Sequence, residues 1–251
     1  MKAIIIGAGR GARLMPMTED VPKCFADVGG RRILDWAVDA FAASGIDDIV
    51  FIGGYRIDVV RAAYPSFRYC HNRDWERNNI LASLMHAEAE MDGPFICCYS
   101  DILFTPEVIA RAAEDSGDIS LVVDTDWRTR YVARTQHPTD DAEKVTVLNG
   151  VVTKVHREIA DDDAHGEYIG VAKFSAEGAA HLRARYHARR EQHAGKPYRE
   201  AAVFEKAYLI HMFQDMIEAG AQVGHVDTHG GYMEIDTQQD YDLARRHWKA
   251  T

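Results

Sequence analysis

Lys2-Ala3-Ile4-Ile5-Ile6-Gly7-Ala8-Gly9-Arg10-Gly11-Ala12-Arg13-Leu14 is an apolar run of strand length that breaks directly into a glycine-rich loop. A loop of this kind after a buried strand lets backbone N–H groups come close to an anion. Working outward, residues 49–52 and Phe95–Tyr99 repeat the short apolar run, and Ile33–Ala43 and residues 80–89 carry apolar residues at helical spacing between them. Strands alternating with helices predict βαβ units and a mostly parallel sheet covered on both faces. The pattern continues as a helix over 106–113, with proline in its first turn, and a strand over 119–123.

Further along, Lys144–Leu148 and Val151–Val155 flank Asn149-Gly150, a strong hairpin signal. Gly166–Phe174 reads as a strand, Ala176–His193 and 205–219 as long polar-faced helices, 223–226 and 232–235 as short strands, and 238–248 as a closing helix. The expected fold class is therefore α/β, a Rossmann-like, mostly parallel sheet with a β-hairpin and helical embellishments. No repeat and no linker rich in Pro, Gly or Ser divides the chain, so one domain over 1–251 is expected.

At 251 residues, 47% hydrophobic and 27% charged, the chain has enough apolar material for a substantial core, which excludes a disordered protein. The net charge of −10 is the wrong sign for coating nucleic acid. Residues 1–35 nevertheless hold six basic against four acidic residues, and the remaining 216 hold 23 against 35. A basic segment on an acidic body points to a local anionic ligand. Cys24, Cys70, Cys97 and Cys98 lack zinc-ligand spacing and suit a reduced, cytoplasmic protein. No apolar stretch is long enough to span a membrane, so neither membrane nor nucleic acid is an expected partner.

Three readings of the loop compete. Gly7, Gly9 and Ala12 satisfy the dinucleotide fingerprint, but Pro16 and Pro22 interrupt the helix it requires, and Arg31 and Arg32 stand where an acidic residue is needed. The P-loop reading fails because Lys23 does not follow the required spacing. The remaining pattern, Gly7-x-Gly9-x-x-x-Arg13-Leu14-x-Pro16-x-Thr18 followed by Pro22-Lys23, resembles the signature of nucleotidyltransferases that join a nucleoside triphosphate to a phosphorylated small molecule. That resemblance implies a GT-A-like fold, with a nucleotide-binding part over about 1–125 and an acceptor-binding, closing part over about 126–251. It further implies that Ala8, Gly9 and Gly11 make the loop contacts, that Arg13 meets the β/γ end of the triphosphate, and that Lys23 lies near the α-phosphate and the acceptor.

Phosphoryl-type transfer relies on cations to hold the triphosphate and absorb charge, so a carboxylate pair is expected. Asp101 follows the apolar run Phe95–Tyr99, and Asp236 closes Tyr232-Met233-Glu234-Ile235. In isolation each is an ordinary helix cap; by resemblance they are the Mg²⁺ ligands, and with Arg13 and Lys23 they make up the catalytic set. Asn78-Asn79-Ile80 with Ser83-Leu84 resembles a stretch of bacterial phosphocholine and phosphonate cytidylyltransferases, which implies base or ribose contacts from Asn79 and Ser83. CTP is thereby favoured over UTP or dTTP.

The acceptor implied is a small phosphate or phosphonate compound such as phosphocholine or 2-aminoethylphosphonate. Glu167 and Glu234 are its candidate contacts beside Lys23, and Arg157 falls roughly where relatives carry a phosphate-binding lysine. In the run from Asp126 to His137, Trp127 and Tyr131 suit stacking on an ammonium, and Arg130 among three arginines suits a second anionic group; a solvated loop explains the same residues. A sugar-1-phosphate nucleotidyltransferase and a non-catalytic nucleotide-binding subunit are the competing functions, and the resemblance allows a homodimer.

Overall fold

The computed structural model describes residues 1–136 and 138–248. Its strands are β1 (Lys2–Gly7), β2 (Asp27–Val28), β3 (Arg31–Arg32), β4 (Ile49–Gly53), β5 (Arg68–His71), β6 (Phe95–Tyr99), β7 (Ile102–Phe104), β8 (Ile119–Asp124), β9 (Lys144–Leu148), β10 (Val151–Val155), β11 (Gly166–Phe174), β12 (Val223–Thr228) and β13 (Tyr232–Glu234). The helices are α1 (Ile33–Ala43), α2 (Ile57–Ala63), α3 (Ile80–Met85), α4 (Pro106–Glu114), α5 (Arg128–Tyr131), α6 (Ala176–His193), α7 (Leu209–Glu218) and α8 (Gln238–His247). The main sheet runs β10-β9-β11-β6-β1-β4-β5, with β8 also on β11 and β12 on β8. Strands β6, β1, β4 and β5 are parallel, whereas β11 runs antiparallel to β6, β8 and β9.

Every residue of β1 from Ala3 to Gly7 is buried because the strand is covered on both sides. Ile4 and Ile6 pack into one apolar cluster with Leu81, Leu182 and Phe213, while Ala3 and Ile5 pack into another with Phe41 and Ile109. The adjacent Cys97 and Cys98 divide between the same two clusters. Alternation of side chains across a strand thus produces three layers, helix on sheet on helix.

Most elements expected from the sequence are present, several with the same limits. The helix expected over 80–89 stops at Met85 and gives way to a 3₁₀ turn at Glu88–Glu90. The one expected over 205–219 begins only at Leu209, after a 3₁₀ turn at Phe204–Lys206. It is not polar-faced: Leu209 to Met216 are buried, and even Asp215 is covered, by bonds from Arg185 and Arg189 on α6. The elements α2, β5, β2, β3, β7 and α5 were not foreseen; each is short, and β5 carries two exposed residues rather than an apolar run.

Asp215 fastens α7 to α6. Burial works against its charge, but bonds from Arg189 and Arg185 outweigh that and hold its pKa below the usual carboxylate range. Asp215→Ala should cost roughly 2 kcal/mol, since the arginines keep partial access to water. For a chain of this size that lowers Tm by about 4–8 °C in a calorimetric scan.

Candidate active site

The cleft lies along the carboxyl ends of β1 and β6. After β1, residues 8–22 form no α-helix; Ala12–Leu14 make a single 3₁₀ turn, and the Thr18 hydroxyl donates to the Gly11 carbonyl at 2.9 Å. The continuous helix that the dinucleotide reading needs is therefore not there. Gly11 has φ +69°, and a Cβ on it would meet the Lys23 side chain at 2.9 Å, so glycine is required by the protein itself. Gly9 differs, since a Cβ there would meet nothing within 4 Å, yet Gly9 lines the cavity.

Asp101 and Asp236 come together through backbone pairing. β7 and β13 run antiparallel, with Glu234 opposite Ile102, and the Ile235 amide donates to the Asp101 carbonyl at 3.0 Å. Leu14, Leu103 and Ile235 pack in one apolar cluster with Val28, Ile33 and Tyr241, which holds the neighbours of Arg13, Asp101 and Asp236 in place. Neither aspartate caps a helix: Asp101 is followed by β7, and the cap of α8 is Thr237, whose side chain accepts from the Asp240 amide. Asp240, 1% exposed, in turn accepts from the amides of Asp236 and Thr237.

The Lys23 ammonium donates to Asp101 at 2.8 Å and also to Asp236, and Arg13 reaches Asp236 at 2.7 Å. Burial acts to lower the Lys23 pKa, but Asp101 and Asp236 more than offset it, and the net shift is upward. Two hard carboxylates from separate segments thus share one cation, and all-oxygen donors of this kind are the set that suits Mg²⁺.

Two cavities meet at this cluster. One, of about 390 Å³, is lined by Ala8, Gly9, Gly11, Arg13, Lys23, Asn79 and Ser83, together with Trp75, Asn78 and Tyr99. At its base the Asn72 amide donates to Ser83 at 2.8 Å and to Asn78 at 2.9 Å, while Asn79 caps α3 by accepting from the Ile80 amide. The sequence reading brought Asn79 and Ser83 here but missed Trp75, which lines the cavity, and the buried Asn72 behind it; both follow β5, an element without an apolar signature.

The second cavity, about 420 Å³, is lined by Glu143, Arg157, Glu167, Glu234 and four tyrosines, Tyr99, Tyr168, Tyr208 and Tyr232. Gly170, at φ +77° where β11 bulges, makes room for the Tyr99 ring, which a Cβ would meet at 2.5 Å. Arg157 bonds Glu143 at 3.1 Å and lies 4.2 Å from the Tyr208 ring centroid. Burial, against the opposing pull of Arg157, pushes Glu143 up to about 7. Burial followed by Asp236 and Asp101 raises Glu234 well above its ordinary value.

The aromatic and cationic run after β8 requires correction. Trp127, 1% exposed, packs with Tyr131 and Ala142, so its ring presents no open face to a ligand. Arg130 and Tyr131 do not line the second cavity either; they bond Glu167, Arg130 also facing Asp124 at 3.3 Å. Arg134 bonds Asp240 at 2.7 Å and Arg128 pairs with Asp162. Arg130 and Arg134 are internal counter-ions and Arg128 a surface one, rather than an anion site, and His137 lies outside the described residues.

The contrast between the two loop glycines is testable. Gly9→Ala should leave Tm unchanged but weaken nucleoside triphosphate binding by at least tenfold in calorimetric titration, because only a ligand competes for that space. Gly11→Ala should lower Tm as well, through the strained φ and the Lys23 contact.

Comparison with known proteins places the chain among nucleotidyltransferases. The chain is 28% identical to the CTP:phosphoglutamine cytidylyltransferase of Campylobacter jejuni, over 97% of this chain and 98% of that protein. It is 32% identical to the choline-phosphate cytidylyltransferase of Streptococcus pneumoniae, over 41% of this chain and 46% of that one. The inositol-1-phosphate CTP transferase structure from T. maritima superimposes with a TM-score of 0.73 at 22% identity, covering 100% of this chain and 98% of that one, which establishes the nucleotidyltransferase fold. The MobA-like NTP transferase domain matches residues 3–200, and the chain belongs to that family of nucleotidyltransferases.

Proposed function

We propose that the protein transfers CMP from CTP to a small acceptor that carries a phosphate or phosphonate and a cationic nitrogen, releasing pyrophosphate. The observation that carries this reading is the meeting of Arg13, Lys23, Asp101 and Asp236 where a glycine-floored cavity opens onto one walled by acids and tyrosines. An acceptor oxygen, already ionised at neutral pH, forms the new bond to the α-phosphorus in line as the bond to pyrophosphate breaks, so no general base is needed. Lys23 and Arg13 exchange their carboxylate partners for phosphate oxygens, Lys23 at the α-phosphate and Arg13 toward the leaving end. Asp101 and Asp236 are the residues that would hold Mg²⁺, which when bound supplies charge neutralisation along the triphosphate.

For the base, Asn78 and Ser83 line the cavity as preset polar groups, locked from behind by hydrogen bonds to the buried Asn72, with the Trp75 ring beside them. The acceptor cavity is rich in carboxylates and tyrosine faces, which suits an ammonium. Both phosphoglutamine and choline phosphate, named for the relatives, carry a cationic nitrogen. Arg157 is the cation suited to a carboxylate on the acceptor, as an amino-acid acceptor would have.

Pyrophosphate release with Mg²⁺ tests this directly, pairing CTP, UTP, dTTP and ATP with phosphoglutamine, phosphocholine, 2-aminoethylphosphonate and glucose 1-phosphate. Turnover with CTP and an amine-bearing acceptor is expected. Turnover with the sugar phosphate alone would replace the acceptor half of the proposal, and nucleotide binding without turnover would indicate a non-catalytic subunit. Asp101→Ala and Lys23→Ala should each lower kcat/KM on the order of 10²- to 10³-fold with the circular dichroism spectrum preserved.

Glu143 adds a pH signature. With Arg157 bonded to it, and Tyr99, Tyr168 and Glu167 around it, its carboxyl is charged above about 7 and neutral below. Loss of that negative charge weakens a cationic acceptor, so the acceptor KM should rise as pH falls through about 7 while KM for CTP stays flat. Glu143→Gln should abolish the difference, and comparing the two proteins with one acceptor separates Glu143 from the acceptor's own titration.

A further inference from the structure

Away from the cleft, the edge strand β12 presents His225 and Asp227 on one face, two residues apart. His165, immediately before β11, is fixed by its amide donating to the Val145 carbonyl at 2.8 Å. The three side chains converge: His165 Nε2 lies 3.0 and 3.1 Å from the two Asp227 carboxylate oxygens, and His225 Nδ1 lies 2.8 Å from one of them. The two imidazoles meet edge to face, with centroids 4.9 Å apart. None of the three lines either cavity of the active site, and among the described residues this is the one group of three such donors close enough together to share an ion.

We infer that His165, His225 and Asp227 form a second cation site, specific for a borderline divalent transition ion of the Zn²⁺ type. Two imidazole nitrogens and one carboxylate oxygen are the donors that favour zinc over magnesium or calcium, which take oxygen alone. Zinc bonds of about 2.0–2.1 Å in a tetrahedron set neighbouring donors about 3.3 Å apart. The two imidazole–carboxylate separations of 2.8–3.1 Å need to open by only a few tenths of an ångström, and all three donor atoms already lie within 4.8 Å of one another. All three side chains are partly accessible, so an ion has a path in, and the fourth position is open to water.

Such an ion would tie the start of β11, two residues before Glu167, to β12, which leads through residues 228–231 into β13 and the Glu234–Asp236 segment. Its role is structural: it pins two walls of the acceptor cavity from outside the chemistry.

Isothermal titration of the EDTA-treated protein with Zn²⁺, in excess Mg²⁺ to block the cleft carboxylates, should show one equivalent bound, and saturating Zn²⁺ should raise Tm by about 5 °C. His225→Ala and His165→Gln should each lose that binding and that Tm rise while keeping wild-type nucleotidyl transfer in Mg²⁺ alone. In the wild type, Zn²⁺ should protect His165 and His225 from diethyl pyrocarbonate, read by mass spectrometry, which needs no variant to fold. No Zn²⁺ binding, binding unchanged in the two variants, or protection of other histidines instead would overturn the assignment and leave a hydrogen-bonded His–Asp–His cluster.

Discussion

The Lys23 ammonium between Asp101 and Asp236 is the contact around which the cleft is organised. The two carboxylates come from strands far apart in the chain and are brought side by side by the pairing of β7 with β13. Without a cation between them, two such neighbouring charges would repel. The fold tolerates them because an apolar cluster of Leu14, Leu103 and Ile235 fixes the backbone on each side and Lys23 supplies the opposite charge. Position is set by packing and charge is balanced by Lys23 together with Arg13, which separates the two requirements.

The same division governs the acceptor half. Its wall carries Glu143, Glu167 and Glu234, and each pairs with an arginine, Arg157, Arg130 and Arg134 respectively, the last two shared with Asp124 and Asp240. Arg134 and Asp240 extend this inward, since Asp240 also receives the amide of Asp236. A dense run of arginines that reads as an anion site in the sequence is in fact what allows so many acids to line one cavity.

Legibility from sequence followed the physics of each signal. β1, α1, β6, the hairpin and α6 were readable because strand alternation, helical spacing and Asn149-Gly150 are local properties. Asp101 and Asp236 were placed correctly at strand ends, because their position depends on the apolar runs just before them. What local patterning does not encode is which distant residue a side chain meets. Trp127 and Tyr131 look identical in sequence whether they face a ligand or pack on Ala142. Asn72 and Trp75 follow a strand with two exposed ends and no periodic signal, whereas Tyr208 fell inside the helix expected over 205–219, which in fact begins only after it, at Leu209.

Charge balance also constrains the order of events under the proposed chemistry. Lys23 is buried, and withdrawing it toward a phosphate would strand two carboxylates in a partly desolvated cleft unless another cation took its place. Asp101 and Asp236 are the residues that would hold a divalent ion under this proposal, and its charge would offset the loss of Lys23 to a phosphate. Under that proposal nucleotide and metal affinities would be coupled, and reciprocally so. The residue that stabilises the empty cleft is the same one that makes productive occupancy depend on both components.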